Sequence, residues 1–400
     1  MKIGITRERK TPPDYRVPLI PEHVLAIQQQ FPSVEIAVES YPERCYPNEA
    51  YTSKNIAVVN DISDADVIVG VKEVPKEALI PNKTYFFFSH TIKKQPYNRD
   101  LLRTVLAKNI RLIDYECIKD QTNNRLIGFG RYAGIVGAYN GFIAWGNRYN
   151  RFQLKPANQC YNRAELDEEL KKVSLPPIKI LLTGKGRVAN GAEEVLQTIG
   201  LKKVSTEAFL TQEFSEAVYA QVEYLEYTKH KETGDFNKKD FRENPEEFES
   251  DFGKFLPHTD FLITGHFWKE GSPEFFTREE MLTPSFKIKV IADISCDIAG
   301  PIPATIRAST IKDPIYGYDP KTGNEVDAYL ENGITVMAVD NLPCEMPRDA
   351  SEDFGNEFVK NIIPSLLNGD PDKILEKATI AENGKLTKYY AYLQDYVDGK

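Results

Sequence analysis

The run Lys179-Ile180-Leu181-Leu182-Thr183, passing directly into Gly184-Lys185-Gly186-Arg187-Val188-Ala189-Asn190-Gly191-Ala192, constrains the fold more than any other stretch of the chain. Lys179–Thr183 reads as a buried strand and Ala192–Ile199 as a helix, with a G-x-G-x-x-A turn between them. Gly184 makes the tight turn, and Gly186 leaves room for a pyrophosphate against backbone N–H groups. Arg187 and Val188 lead into the helix, whose N-terminus faces the phosphate charge, and Ala189 lets the helix pack close to the strand. A strand before the glycines and a helix after them turn a weak pattern into a dinucleotide cradle, so the expected cofactor is NAD(H) or NADP(H). An acid at the end of the following strand would hydrogen-bond a ribose 2′-OH. There the sequence reads Val204-Ser205-Thr206-Glu207, with Ser205 where the acid is expected and Glu207 two residues late. Ser205 and Thr206 are therefore placed in the cofactor site, with a lean to NADP(H).

Upstream, Lys2–Thr6, Val34–Val38, Asp66–Val71, Thr84–Phe88 and Ile110–Asp114 read as strands. Most are almost continuously apolar, the mark of a parallel sheet covered on both faces. Pro21–Gln30 and Asp100–Asn109 carry apolar residues at helical spacing. Beyond the glycine turn, Lys203–Ser205, Thr259–Thr264 and Ile288–Ile294 read as further strands. The expected fold class is α/β, with two Rossmann-like doubly wound parallel-sheet domains. Ala133–Arg151 reads as a long connecting helix whose small residues allow close packing, with two short helices broken at glycine as the alternative. Gln221–Phe255 is strongly charged and reads as a surface insertion with one or two polar helices on a solvated face. Later helices are expected at Asp349–Leu367 and near Leu386–Val397.

Composition narrows the function classes. Apolar residues make up 41% and charged ones 27%, the usage of an ordinary globular protein of about two domains. A net charge of -9 argues against a nucleic-acid partner. No apolar run approaches the about 18 residues of a membrane span, and MKIGITRERK lacks the apolar core of a secretory signal. The five cysteines, Cys45, Cys117, Cys160, Cys296 and Cys344, form no CxxC pair, so neither a metal site nor a disulfide framework is expected. Reduced thiols in the cytoplasm are the simpler reading.

Ligands of open α/β sheets lie outside the carboxyl ends of the strands, and several ionisable residues fall there. Val67–Val71 runs into Lys72 and Glu73, and Tyr85–Ser89 runs into His90. A lysine beside apolar walls can be tuned for proton transfer, and histidine is the side chain that titrates nearest neutrality. Asp114 and Glu116 follow a third strand; helix capping or an ion pair is their structural alternative. Arg7, Arg9 and Arg16 crowd the end of the first strand, where a planar guanidinium suits a carboxylate. A solvated role fits Arg9 better than Arg16, which stands in the apolar run Arg16-Val17-Pro18-Leu19.

These motifs resemble a known superfamily. Gly4-Ile5-Thr6-Arg7-Glu8 with Arg16–Pro21 looks like the amino-terminal signature of the alanine dehydrogenase, transhydrogenase and saccharopine dehydrogenase superfamily. Gly70–Pro75 and Phe88–Thr91 resemble the lysine-forming saccharopine dehydrogenases and the lysine–ketoglutarate reductase half of the bifunctional lysine-degrading enzyme. Arg111–Glu116, Gly128–Gly134, Val339–Pro343 and Pro347–Ser351 continue the likeness, and the 221–255 insertion is closer to the reductase branch. The resemblance implies two Rossmann-like domains around a cleft, a substrate domain at 1–132 and 342–400 and a dinucleotide domain at 133–341. It implies interconversion of saccharopine with L-lysine and 2-oxoglutarate by hydride transfer at an imine. Lys72 and His90 would be the acid–base pair, and Arg16 would hold a substrate carboxylate. Glu73, Asp114, Glu116 and Arg131 would complete the substrate site, and Asp340 would lie near the nicotinamide. The expected partners are these small molecules, in a monomer or small homo-oligomer. An alanine dehydrogenase-like reaction and a non-catalytic nucleotide-binding protein are the alternatives.

Overall fold

The computed structural model describes residues 1–11 and 13–400. The chain divides into two compact units, Met1–Phe129 with Pro347–Lys400, and Gly130–Met346. In the first unit β1 (Lys2–Ile5), β2 (Glu35–Glu39), β3 (Ala57–Val59), β4 (Val67–Val69), β5 (Thr84–Phe87) and β6 (Arg111–Asp114) pair in parallel. The second unit contributes β7 (Lys179–Thr183), β8 (Lys202–Lys203), β9 (Val218–Val222), β10 (Thr228–His230), β11 (Phe248–Ser250), β12 (Phe261–Thr264) and β13 (Val290–Asp293). An antiparallel extension follows, β14 (Ile315–Asp319), β15 (Asn324–Val326) and β16 (Ile334–Met337), of which β16 runs parallel to β13. The chain then returns to the first sheet with β17 (Thr379–Glu382) and β18 (Lys385–Leu386).

The first sheet has the order β18-β17-β6-β5-β4-β1-β2-β3 and the second β15-β14-β16-β13-β12-β7-β9-β8. Each is doubly wound. From β1 the chain winds one way through β2 and β3, then crosses back to β4 and winds the other way. In the second sheet the same reversal falls between β7 and β12. The central strands are buried because both faces are covered: Val67, Ile68, Val69, Phe86 and Phe87 are at most 3% exposed, and such β-branched and aromatic runs favour strand over helix.

Gly130–Tyr149 is one unbroken helix of 20 residues, so the two-helix alternative is set aside. Its glycines serve packing against the glycine-loop helix, which spans Arg187–Ile199. A Cβ on Gly134 would lie 1.9 Å from the Val188 carbonyl oxygen, and one on Gly191 would lie 2.0 Å from that of Arg131. Only two bare backbones approach this closely. The helix expected over Asp349–Leu367 begins at Pro347 and passes through a π turn at Phe358–Ile362, which turns Phe358 and Ile362 into the core.

The second half of the chain holds two corrections. β9, buried along its whole length, begins before and ends inside the segment read as a charged insertion, and it lies between β7 and β8. The rest of that segment is not a solvated face throughout. β10 and β11 form a two-stranded sheet, on which Phe241 packs 5.4 Å from Phe236 and 5.1 Å from Phe248 between ring centres. The sequence hid this core because its aromatic residues are interleaved with charges at no regular period.

Gly134→Ala is expected to destabilise the protein by about 3 kcal/mol or more, because the overlap is with backbone that cannot turn aside. A thermal or urea unfolding midpoint equal to wild type would show that the two helices can separate without cost.

Candidate functional site

In the first unit the reversal of strand order opens a gap between the carboxyl ends of β1 and β4, the place where such sheets bind ligands. Glu8, three residues past β1, bridges it. Its Oε1 accepts from the Val71 N–H (2.7 Å) and its Oε2 from the Lys72 N–H (2.9 Å). Lys72 thus leaves β4 on a backbone fixed from the neighbouring strand. His90, beyond β5, has φ 55° and ψ 11°, a left-handed conformation seldom taken by residues with a side chain. Asp114 at the end of β6 holds this turn, accepting from the Ser89 N–H at 2.9 Å and from Ser89 Oγ at 2.5 Å. Strain held in place by neighbours is common at functional sites.

The side chains form a linked charge array. His90 Nδ1 lies 2.8 Å from Glu73 Oε1, and Lys10 Nζ donates to Glu73 Oε2 at 3.0 Å. Burial raises the Glu73 pKa, but the His90 and Lys10 bonds outweigh it and bring it down to about 2. Asp14 and Arg16 form a buried bidentate pair, Nε to Oδ1 at 3.0 Å and Nη2 to Oδ2 at 2.6 Å. Burial opposes the Asp14 charge, yet Arg16, with help from Lys72, holds its carboxyl at about 2. Glu8 goes the other way: burial, with Asp14 adding to it, pushes it up to about 7. The Glu116 Oε1 meets Lys93 at 3.5 Å and Arg125 at 3.7 Å, while its buried Oε2 has no hydrogen-bond partner among the described residues.

In the second unit the reversal falls at the glycine loop. Gly184 has φ +90°, and a Cβ there would lie 2.6 Å from the Gly265 carbonyl oxygen. Around Gly186 a Cβ would find nothing within 4 Å, and the Arg187–Ile199 helix has no side-chain cap at this end. A bare backbone turn, open space and an uncapped helix N-terminus fit a pyrophosphate. The close approach credited to Ala189 is made with Gly265, whose Cβ would lie 2.8 Å from the Ala189 Cα. His266, next to Gly265, was not singled out from the sequence. It is buried, shares a 2.9 Å hydrogen bond with Thr183 Oγ1, and burial lowers its pKa to about 3. Its position after the apolar run Phe261–Thr264 was the available signal.

The structure brings Lys72, Glu73, His90 and Glu116 to one edge, on the neighbouring strand ends β4, β5 and β6. Other expected site residues are engaged by groups within the chain. Asp114 is a buried structural anchor that caps the Tyr115–Cys117 turn and holds Ser89. Arg16 presents its fork to Asp14 and stacks 4.1 Å from the centre of the Phe129 ring. Arg131 belongs to the second unit, where it clamps the connecting helix to Glu194 at 2.6 Å. Arg9, expected to be solvated, turns in to Thr6 and Glu39. Ser205 caps the helix Thr206–Thr211 by accepting from the Ala208 N–H at 3.1 Å, and Thr206 donates to Glu226. Both follow the edge strand β8, one strand removed from β7. Asp340 is exposed beyond the carboxyl end of β16.

A glycine cradle at one switch point and an array of lysine, histidine and carboxylates at the other are the equipment of an oxidoreductase that uses a pyridine nucleotide. The chain belongs to the alanine dehydrogenase/PNT family: the N-terminal domain model matches residues 4–136 and the C-terminal domain model residues 172–389. It is 29% identical to the mitochondrial alpha-aminoadipic semialdehyde synthase of Mus musculus over 98% of this chain and 47% of that protein. The chain thus spans about half the length of the alpha-aminoadipic semialdehyde synthases it resembles. It is 24% identical to the saccharopine dehydrogenase [NAD(+), L-lysine-forming] of Yarrowia lipolytica over 83% of each. A solved L-alanine dehydrogenase superposes with a TM-score of 0.65 at 15% identity, covering 100% of this chain and 99% of the other, and so shares the fold. The cofactor of this family is NAD(H) or NADP(H). Among the described residues no helix is long and apolar enough to cross a membrane.

Two tests follow from this geometry. Ser205→Ala should cost about 1 kcal/mol of stability through the lost cap; no change in the unfolding midpoint would remove the capping role. Glu73, with its native pKa below the ordinary 4.5, stabilises the fold above that pH and loses the contribution as pH falls toward about 2. The stability gap between wild type and Glu73→Gln in urea unfolding should therefore close on acidification below pH 4.5, and a gap independent of pH would contradict the pairing.

Proposed function

We propose that the protein interconverts saccharopine with L-lysine and 2-oxoglutarate, using the nicotinamide cofactor as hydride donor or acceptor at the imine carbon. The observation that carries this reading is the placement of Lys72 and a Glu73-oriented His90 at the ends of adjacent strands, in the unit that holds the buried Asp14–Arg16 pair. The likeness to a relative named as a saccharopine dehydrogenase [NAD(+), L-lysine-forming] supports it. In the condensation direction an amine attacks the oxo acid, a carbinolamine loses water, and the resulting imine is reduced. Lys72 takes and returns the proton at the amine nitrogen. His90, with Nδ1 held by Glu73, exchanges protons through Nε2 at the carbinolamine oxygen and the departing water. The unpartnered Glu116 Oε2 is the acceptor assigned to an incoming ammonium. Arg16 acts through Asp14, whose carboxylate it holds ionised, rather than as a direct carboxylate ligand. Gly184, Gly186, Arg187, Val188 and Ala189 hold the pyrophosphate end of the cofactor.

Reduced-nicotinamide absorbance should fall only when L-lysine and 2-oxoglutarate are both present. Lys72→Met and His90→Asn, the latter chosen because asparagine tolerates the left-handed backbone, should each lower kcat by about 10²–10⁴-fold with cofactor affinity nearly intact. Oxidation with ammonia in place of lysine would instead favour an alanine dehydrogenase-like reaction. Full activity of both variants would remove the assigned site.

A further inference from the structure

We infer that Glu223 is the residue that reads the adenosine ribose, and that it makes NAD(H) the preferred cofactor over NADP(H). The inference rests on the glycine cradle being the dinucleotide site, and it starts from strand order. In doubly wound sheets the ribose falls at the carboxyl end of the strand beside the glycine-loop strand, on the side away from the reversal. Here the strand after the loop helix in sequence is β8, but the strand beside β7 in space is β9. Lys179 pairs with Val218 and Thr183 with Val222, so the next residues in register are Gly184 and Glu223.

The contacts bind this corner together. The Gly184 N–H donates to the Val222 carbonyl at 2.7 Å, and Gln221 Nε2 donates to the Gly184 carbonyl at 2.9 Å. Glu223 is thereby fixed beside the loop at its first glycine. Its backbone is pinned at the start of a helical turn: the Glu226 side chain accepts from the Glu223 N–H at 2.9 Å, and the Glu226 N–H donates to the Glu223 carbonyl at 2.9 Å, which leaves the Glu223 carboxylate outside the cap. The side chain is 34% exposed, and Lys185 Nζ lies 3.7 Å from its Oε2. A carboxylate held here can accept hydrogen bonds from the hydroxyls of an unmodified ribose. A 2′-phosphate would bring a second anion against it, and like charges at close range repel. The neighbouring cations are already answered, Lys185 by Glu223 and Lys203 by Glu193 at 2.6 Å. Ser205 and Thr206 lie past the edge strand and take no part.

Equilibrium titration of the full chain with NADH and NADPH, followed by nicotinamide fluorescence, tests this without turnover. Wild type should bind NADH at least about tenfold more tightly than NADPH, the scale of one charge-assisted hydrogen bond and one like-charge contact. In Glu223→Gln, checked for a cooperative thermal transition, the two affinities should come within about threefold. Glu223→Asp should keep the preference for NADH. Equal or tighter binding of NADPH by wild type would overturn the assignment while leaving the dinucleotide site standing, and it needs no variant to fold. So would a tenfold preference that survives in Glu223→Gln. Failure of the folded wild type to bind either cofactor would overturn the cradle reading and this inference together.

Discussion

The gap that a doubly wound parallel sheet leaves where its strand order reverses is the constraint on which both units depend. Parallel strands send all their carboxyl ends to one edge, and the crossover helices diverge only at the reversal. In the first unit a carboxylate fills that gap: Glu8 reaches from β1 to the backbone leaving β4 and fixes Lys72. In the second unit the gap is left bare, with Gly184 and Gly186 lining it and His266 behind them. One gap is thus furnished with charge and the other cleared for a phosphate.

The charged edge of the first unit is built from opposed shifts. Glu73 and Asp14 are held ionised well below the carboxylate range by His90, Lys10 and Arg16, while burial and the Asp14 charge outweigh Arg16 at Glu8 and push it up to about 7. Carboxylates whose environments push them apart in this way can carry different duties at one pH. Asp114 is the silent member. Fully enclosed and satisfied by Ser89 and Glu116, it fixes the turn that forces His90 into the left-handed region. A residue read as a substrate ligand is, in the folded chain, the support that positions a neighbour.

Much of this was legible before folding because it is local. Buried parallel strands announce themselves by continuous apolar runs, and the glycine loop by its place between strand and helix. Lys72, Glu73, His90 and Glu116 could be picked out as strand-end residues for the same reason. The carboxylate partners of two arginines were not legible: Glu194 meets Arg131 from 63 residues along the chain, through packing, and Asp14, although only two residues from Arg16, reaches it by a turn of the chain that no periodic pattern marks. His266 escaped because its strand carries no charge pattern to draw attention to its end.

By itself the sequence determined the α/β class, the glycine cradle and the strand ends that bear ionisable groups, since these follow from side-chain period and from backbone freedom over a few residues. Only the tertiary structure decided which strands are neighbours. β8 follows the loop helix in sequence, but its two exposed residues cannot fill the space beside β7, whereas the five buried residues of β9 can. That choice moved the residue beside the cofactor loop from Ser205 to Glu223. Strand order is set by which segment buries best in a given slot, a nonlocal competition that no window of the sequence displays.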